Sequence, residues 1–159
     1  MGGAVIPAKI NENDFKSISQ EMYNESLFNK LRGADGLIDQ QVLREFEKTC
    51  FDAFLTHYWG FDELQRDNHK RVQRFNQGLK KRNFRVWFDE ESLKGNIQKQ
   101  MSDGIDCSAV VLVFITQRYM DKVEGKGAKG ELDNCMYEFS YAAQTKGRKM
   151  MIPVVMEPR

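Results

Sequence analysis

The chain has 159 residues, 41% of them hydrophobic and 30% charged, enough to bury one core and to carry an appendage beside it. A formal net charge of +1, with 24 basic residues spread along the chain, excludes broad electrostatic capture of nucleic acid or of an anionic membrane surface. Three cysteines (Cys50, Cys107 and Cys135) are an odd number without metal-ligand spacing, so a reduced, cytoplasmic compartment is expected rather than a disulfide-stapled one.

No signal peptide and no membrane span is expected, and Ile6 stands where N-myristoylation after Met1-Gly2 would want Ser or Thr. Residues 1–12 carry no periodic signal and are not expected to order alone. From Asn13 to about Leu31, Phe15, Ile18 and Met22, then Leu27, Phe28 and Leu31, recur at helical intervals and predict two short helices. A loop through Arg32-Gly33-Ala34-Asp35-Gly36-Leu37-Ile38-Asp39 follows, then a further helical periodicity at Val42, Leu43 and Phe46. Helix, loop, helix resembles one EF-hand, with Gly36 for the sharp turn, Ile38 at the central apolar position, and Asp35 and Asp39 acidic. A calcium loop needs oxygen ligands at its first, third and last positions, where this chain has Leu31, Gly33 and Val42. A degenerate EF-hand or a helical hairpin is therefore expected, without a metal site.

The composition changes at Phe51. Phe51 to Thr56 reads as a strand, ended by His57-Tyr58-Trp59-Gly60. A helix from His69 to Arg82 places Val72, Phe75 and Leu79 on one face, and Phe84 to Phe88 reads as a second strand. After the loop Asp89 to Gly95, a helix from Asn96 carries Ile97, Met101 and Ile105. Ser108 to Thr116 is a short, non-alternating apolar run, as in a strand buried on both faces of a parallel sheet. The Gly-rich loop Glu124 to Gly130, a helix from Leu132 to about Lys146 and a last strand from Met150 to Met156 complete an alternating α/β order.

Ligands of such sheets sit beyond the carboxyl ends of the strands, here His57-Tyr58-Trp59, Asp89-Glu90-Glu91 and Thr116-Gln117. A phosphate loop is missing after the first strand. Gly125-x-Gly127-x-x-Gly130 spells a dinucleotide fingerprint, but no strand-to-helix turn immediately frames it. Thr116 stands where a phosphoryl-accepting receiver needs Asp. In the helix from Leu132, the residues Leu132, Cys135, Met136, Phe139, Ala142 and Ala143 form an apolar stripe. Glu138 lies about 40° outside it on a 3.6-residue wheel. It either pairs with a lysine at the surface or points into the cleft. His57 and His69 read as structural or solvent-facing, since neither has a plausible nucleophile beside it.

Phe51-Asp52-Ala53-Phe54-Leu55-Thr56-His57, Val86-Trp87-Phe88-Asp89 with Leu93-Lys94-Gly95, Gly104-Ile105-x-x-Ser108, Tyr119, and Cys135-Met136-Tyr137-Glu138-Phe139 occur in this order. They resemble the successive motifs of Toll/interleukin-1 receptor (TIR) domains, over Phe51 to Arg159. The resemblance implies a TIR domain at 51–159 preceded by a helical, degenerate EF-hand-like segment at 1–50. The fold implied is α/β and flavodoxin-like, with a central parallel sheet of strand order 2-1-3-4 that stops after its fourth strand. TIR domains usually add a fifth strand and a closing helix, so Met150 to Met156 is expected as an uncovered apolar edge.

The resemblance also implies signalling, as in innate immunity, by contacts with other TIR domains and by homo-oligomerisation, with the loop Asp89 to Asn96 docking head-to-tail. Enzymatic members cleave NAD+ as substrate, without a cofactor, using the glutamate matched by Glu138. On that reading Tyr58 and Trp59 wall in the nicotinamide, and Lys94 and Gly95 close over the nucleotide. Asn134 departs from the Trp that many members carry four residues before the Glu. The other reading is a non-catalytic adaptor acting only through protein–protein contact.

Overall fold

The computed structural model describes residues 7–19, 25–89, 96–130 and 133–158; the side chains of 18, 19, 26, 27 and 47–49 are outside that description. The chain divides into two compact units, Met1–Cys50 and Phe51–Arg159.

In the first unit, strand β1 (Lys9–Ile10) and helix α1 (Glu12–Ser19) are followed by α2 (Glu25–Leu31), strand β2 (Ile38–Asp39) and α3 (Gln40–Thr49). The two helices expected before the loop are present. The segment before Asn13 is described from residue 7 onward, and it does not order alone. β1 pairs antiparallel with β2, setting Lys9 against Asp39 and Ile10 against Ile38. Two residues are too few to leave a periodicity, yet Ile10 and Ile38 are fully buried with Phe15, Phe28 and Leu43. That shared burial orders the segment. Lys9 Nζ donates to Asp35 Oδ2 at 3.0 Å, so an ammonium stands where a loop cation would want a carboxylate. Residues 1–6 and Met22 lie outside the described residues.

The second unit is built on one parallel sheet. Its strands are β3 (Phe51–His57), β4 (Val86–Trp87), β5 (Ser108–Ile115) and β6 (Met151–Val155), in the order β4-β3-β5-β6. Its helices are α4 (Asn68–Lys80), α5 (Ile97–Asp106), α6 (Gln117–Val123) and α7 (Asn134–Thr145), and a 3-10 turn at Arg148–Met150 precedes β6. This is the flavodoxin-like order 2-1-3-4 expected from the sequence. β4 is shorter than the expected strand from Phe84 to Phe88, and only Ala53↔Val86 and Phe54↔Trp87 pair. α6 has no counterpart in the sequence reading. At seven residues it is too short for a helical periodicity to stand out, and its Thr116 cap (side chain to Tyr119 N, 3.1 Å) starts it directly at the end of β5.

Alternation along β3 and β5 sorts two cores. Ala53 and Leu55 with Leu112 and Phe114 face Val72 of α4 and Phe88. Phe54 with Val111 and Val113 faces Met101 and Ile105 of α5, Tyr119 of α6, and Cys135 and Ala142 of α7. By the same alternation Thr56 belongs to the α7 face and His57 to the α4 face. β6 pairs with β5 alone, and Ile152 and Val155 are exposed on it. The Asp62 carboxylate, fully buried, accepts from Arg66 Nε (2.7 Å) and Arg71 Nη1 (3.0 Å). Both arginines also donate to the Met156 carbonyl, tying the loop after β3 to the end of β6.

α5 packs so closely that a Cβ at Gly104 would lie 2.6–2.8 Å from the Trp87 indole, which itself stacks on Phe54 at 4.3 Å. Gly104→Ala should therefore cost about 1–3 kcal/mol of stability, the usual penalty of overpacking. The check is the urea unfolding midpoint; an unchanged midpoint would show that Trp87 moves aside freely.

Candidate functional site

A cavity of about 340 Å³ opens beyond the carboxyl ends of β3 and β4, where α7 reaches the sheet. Tyr58, Trp59, Asp89 and Glu138 all line it. Glu138 is 3% exposed, so it points inward and not to the surface. The expected apolar stripe is rotated accordingly: Cys135, Glu138 and Ala142 are buried, whereas Ala143 is exposed. Leu132 lies outside the described residues. A carboxylate can sit on the buried face because β3 supplies a partner for it. Thr56 Oγ1 donates to Glu138 Oε2 at 2.6 Å, and Thr56 Oγ1 lies 3.1 Å from the Tyr119 hydroxyl. A threonine has one hydroxyl proton. With that proton given to Glu138, Tyr119 must donate to Thr56, and the three groups form a directed chain ending on the carboxylate. The other carboxylate oxygen takes no hydrogen bond among the described residues. Burial, reinforced by the nearby Asp89 charge, pushes the Glu138 carboxyl well above its usual range.

Asp89 is a second carboxylate on the same cavity. Its Oδ2 accepts from Trp59 Nε1 at 2.9 Å, while Oδ1 is buried without a partner. Burial raises this carboxyl to about 6 against the pull of the Trp59 hydrogen bond. From the sequence Asp89 is a strand end and the start of the expected docking loop, not a cavity group. The signal available was a charged residue directly after the apolar Val86-Trp87-Phe88.

Trp59 is anchored from both sides, tilted over the His69 ring at 4.0 Å and hydrogen-bonded to Asp89, yet remains 51% exposed at the cavity. His57 Nε2 and His69 Nδ1 are 2.7 Å apart. Burial and the neighbouring His69 lower His57 to about 3, so His57 is neutral at physiological pH and brings no positive charge to the cavity. Tyr58 is held under Lys122, whose ammonium lies 5.4 Å from the ring centroid. Gly60 is required for that placement, because a Cβ there would come within 2.6 Å of the Tyr58 ring.

Asp133 caps α7 by accepting from Cys135 N at 2.9 Å and pairs with Lys122. Burial opposes its ionisation, but the Lys122 and Cys135 donors hold its carboxyl below the usual range. Burial and the Glu138 and Asp133 charges push the Cys135 thiol upward, so it stays protonated and is no nucleophile. Asn134 lines the cavity where a Trp was noted in many TIR domains. Lys94 and Gly95 lie outside the described residues, as do Glu90 and Glu91. Among the described residues no group of three or more His, Cys, Asp or Glu is placed to hold a metal ion, and no helix is long and apolar enough to cross a membrane.

A parallel sheet of order 2-1-3-4 flanked by helices defines a flavodoxin-like α/β domain. The family model described as "TIR domain" matches residues 64–159, and the chain belongs to that family. Its members signal through contacts between TIR domains. No curated protein and no solved structure matches the chain.

The Asp89 shift makes stability depend on pH. Its folded pKa, about 6, lies above the ordinary 3.8, so the acid form is favoured by folding. That contribution is complete below pH 3.8 and is lost as pH rises through about 6. Asp89→Asn keeps an acceptor for Trp59 and removes the loss. Its gain in stability over the parent should grow by about 3 kcal/mol between acid and neutral pH. Urea midpoints at the two ends of that window measure it, and a gain independent of pH would contradict the shift.

Proposed function

We propose that the chain is a TIR-domain signalling protein that self-associates through TIR–TIR contacts and cleaves NAD+ to nicotinamide and ADP-ribose at the Glu138 cavity. The observation that carries this reading is the burial of Glu138 at the cavity, with one oxygen tied to Thr56 and the other without a hydrogen bond among the described residues. In NAD+ the bond from ribose C1′ to the pyridinium nitrogen breaks, and its electron pair leaves with nicotinamide, which departs neutral. Such a leaving group needs no general acid, unlike the alcohol released from ordinary glycosides. A single fixed carboxylate suffices, held near the ribose hydroxyls to stabilise positive charge at C1′. Water then bonds to C1′ and releases a proton, giving ADP-ribose.

The surroundings support this chemistry. Neutral His57 and the protonated Cys135 thiol add no positive charge, and with Asp133 paired to Lys122, Glu138 and Asp89 are the cavity carboxylates without a cationic partner among the described residues. Trp59 and Tyr58 present aromatic surface beside them. The pyridinium charge would favour ionisation of both carboxylates on binding. Lys94 and Gly95 are proposed to close over the nucleotide.

Glu138→Gln preserves an acceptor for Thr56 and the side-chain volume while removing the charge. Nicotinamide release by purified protein at high concentration should fall at least about 100-fold in the variant. In the parent, release should rise with pH, because the raised Glu138 carboxyl must ionise to act. Parent and variant releasing nicotinamide equally would remove Glu138 from the mechanism.

Asn134 favours a second reading. An exposed amide on the cavity wall, in place of the large ring expected there, offers less surface to hold a nicotinamide, as in an adaptor that works by contact alone. No release from a folded preparation would select that reading. On either reading the loop Asp89 to Asn96 is proposed to dock on a neighbouring copy, forming an open head-to-tail assembly. Lys94→Glu should then lower the light-scattering mass of concentrated protein, and an unchanged mass would exclude the loop as the docking element.

A further inference from the structure

On the far side of Tyr58 and Trp59 lies a second cavity of about 470 Å³, and the two cavities share Tyr58, Trp59 and Lys122 as a common wall. Their charge balances differ. The first is lined by the carboxylates of Asp89, Asp133 and Glu138 with the ammonium groups of Lys122 and Lys129; the second is lined by Arg118, Lys122 and Lys126 against one carboxylate, Asp121. Arg118 and Lys122 are four residues apart on α6, so they share a helix face. Lys122 is committed to Asp133, and Lys126 to Glu124. Arg118 makes no ion pair among the described residues, and neither does Lys129, which lines the first cavity. The loop after α6 is folded back tightly: Gly125 and Gly130 have φ of 74° and 52°, and a Cβ at Gly127 would meet Lys122 Cγ at 2.9 Å. Gly127 thus lets the loop lie against Lys122 and bring Lys126 to the same cavity.

We propose that the second cavity is an anion subsite that takes a diphosphate, with Arg118 as its principal ligand and Lys122 and Lys126 in support. The proposal rests on the nucleotide reading of the Glu138 cavity and extends it. A dinucleotide with an oxidised pyridinium ring is cationic at one end and doubly anionic at the diphosphate. The paired cavities carry the complementary order, with three of the four carboxylates at one end and the guanidinium with two ammonium groups at the other. A nicotinamide riboside would fill only the first cavity, and a reduced dinucleotide would offer no ring charge to the carboxylates. Guanidinium is the best-matched side chain for phosphate oxygens, since it can give two parallel hydrogen bonds.

The test is calorimetric titration of the whole chain with ADP, which carries the diphosphate and lacks the pyridinium ring. Arg118 is exposed on α6, so Arg118→Gln leaves the core untouched. ADP should bind the parent, weaken about tenfold in Arg118→Gln, as expected for one lost charge-assisted contact, and weaken further with added salt. Affinity in Glu138→Gln should stay within about twofold of the parent, because ADP does not reach the carboxylates. Absence of ADP binding to the parent, or equal binding by parent and Arg118→Gln, overturns the subsite. Nicotinamide release separates the two proposals. An Arg118-dependent ADP affinity in a chain that releases none keeps the subsite and sinks the NAD+ reaction. Release with an ADP affinity indifferent to Arg118 does the reverse.

Discussion

The hydrogen bond from Thr56 to Glu138 is the contact on which the arrangement of this domain turns. A carboxylate on the sheet-facing side of a helix is costly unless a donor meets it. β3 provides one at the position where its alternation turns a side chain toward α7, and Tyr119 of α6 completes the chain of donors. One short polar relay thereby joins the central strand to two helices inside an otherwise apolar core. The rotation of α7 that buries Glu138 also carries Ala143 to solvent and sets Asn134 at the cavity. The cavity is thus a consequence of how α7 is seated.

The same region concentrates groups that do not favour the folded state. Asp89 keeps a buried oxygen without a partner, His57 keeps Nδ1 in the same condition, and the carboxyls of Asp89 and Glu138 are both pushed upward. Other buried charge is compensated. Asp62, away from the cavity, is met by Arg66 and Arg71, and Asp133, on the cavity wall, by Lys122 and a backbone amide. Uncompensated polar groups gathered at one cavity are the usual mark of a site whose partner is a ligand. The Asp62 cluster has the contrary role: it holds the loop after β3 against the end of β6, keeping Tyr58 and Trp59 beside a fixed framework.

Much of the architecture was legible from periodicity. The apolar run from Ser108 announced a strand buried on both faces, and α4, α5 and α7 followed from spacings of three and four. Short elements were not legible. Lys9–Ile10 and Gln117–Val123 contain too few residues for a period to show, and each exists because tertiary partners bury it, Ile38 in one case and the core around Tyr119 in the other. Of the candidate site, Tyr58, Trp59 and Glu138 could be named in advance. Asp89 could be placed at a strand end but not recognised as a buried cavity group, since its burial depends on Trp59 and Phe88 closing around it.

Sequence alone determined the two units, the parallel order of the sheet and the family, because these rest on hydrophobic patterning and on motifs contiguous in the chain. It left Glu138 between the surface and the cleft. Its wheel angle lies at a seam, and helix periodicity cannot say which way a seam residue turns. Only the tertiary structure decided that, by placing the Thr56 hydroxyl, 82 positions earlier, 2.6 Å from the carboxylate. The different charge balances of the two adjoining cavities likewise arise from residues scattered between Tyr58 and Glu138, brought together only when the sheet and its helices pack.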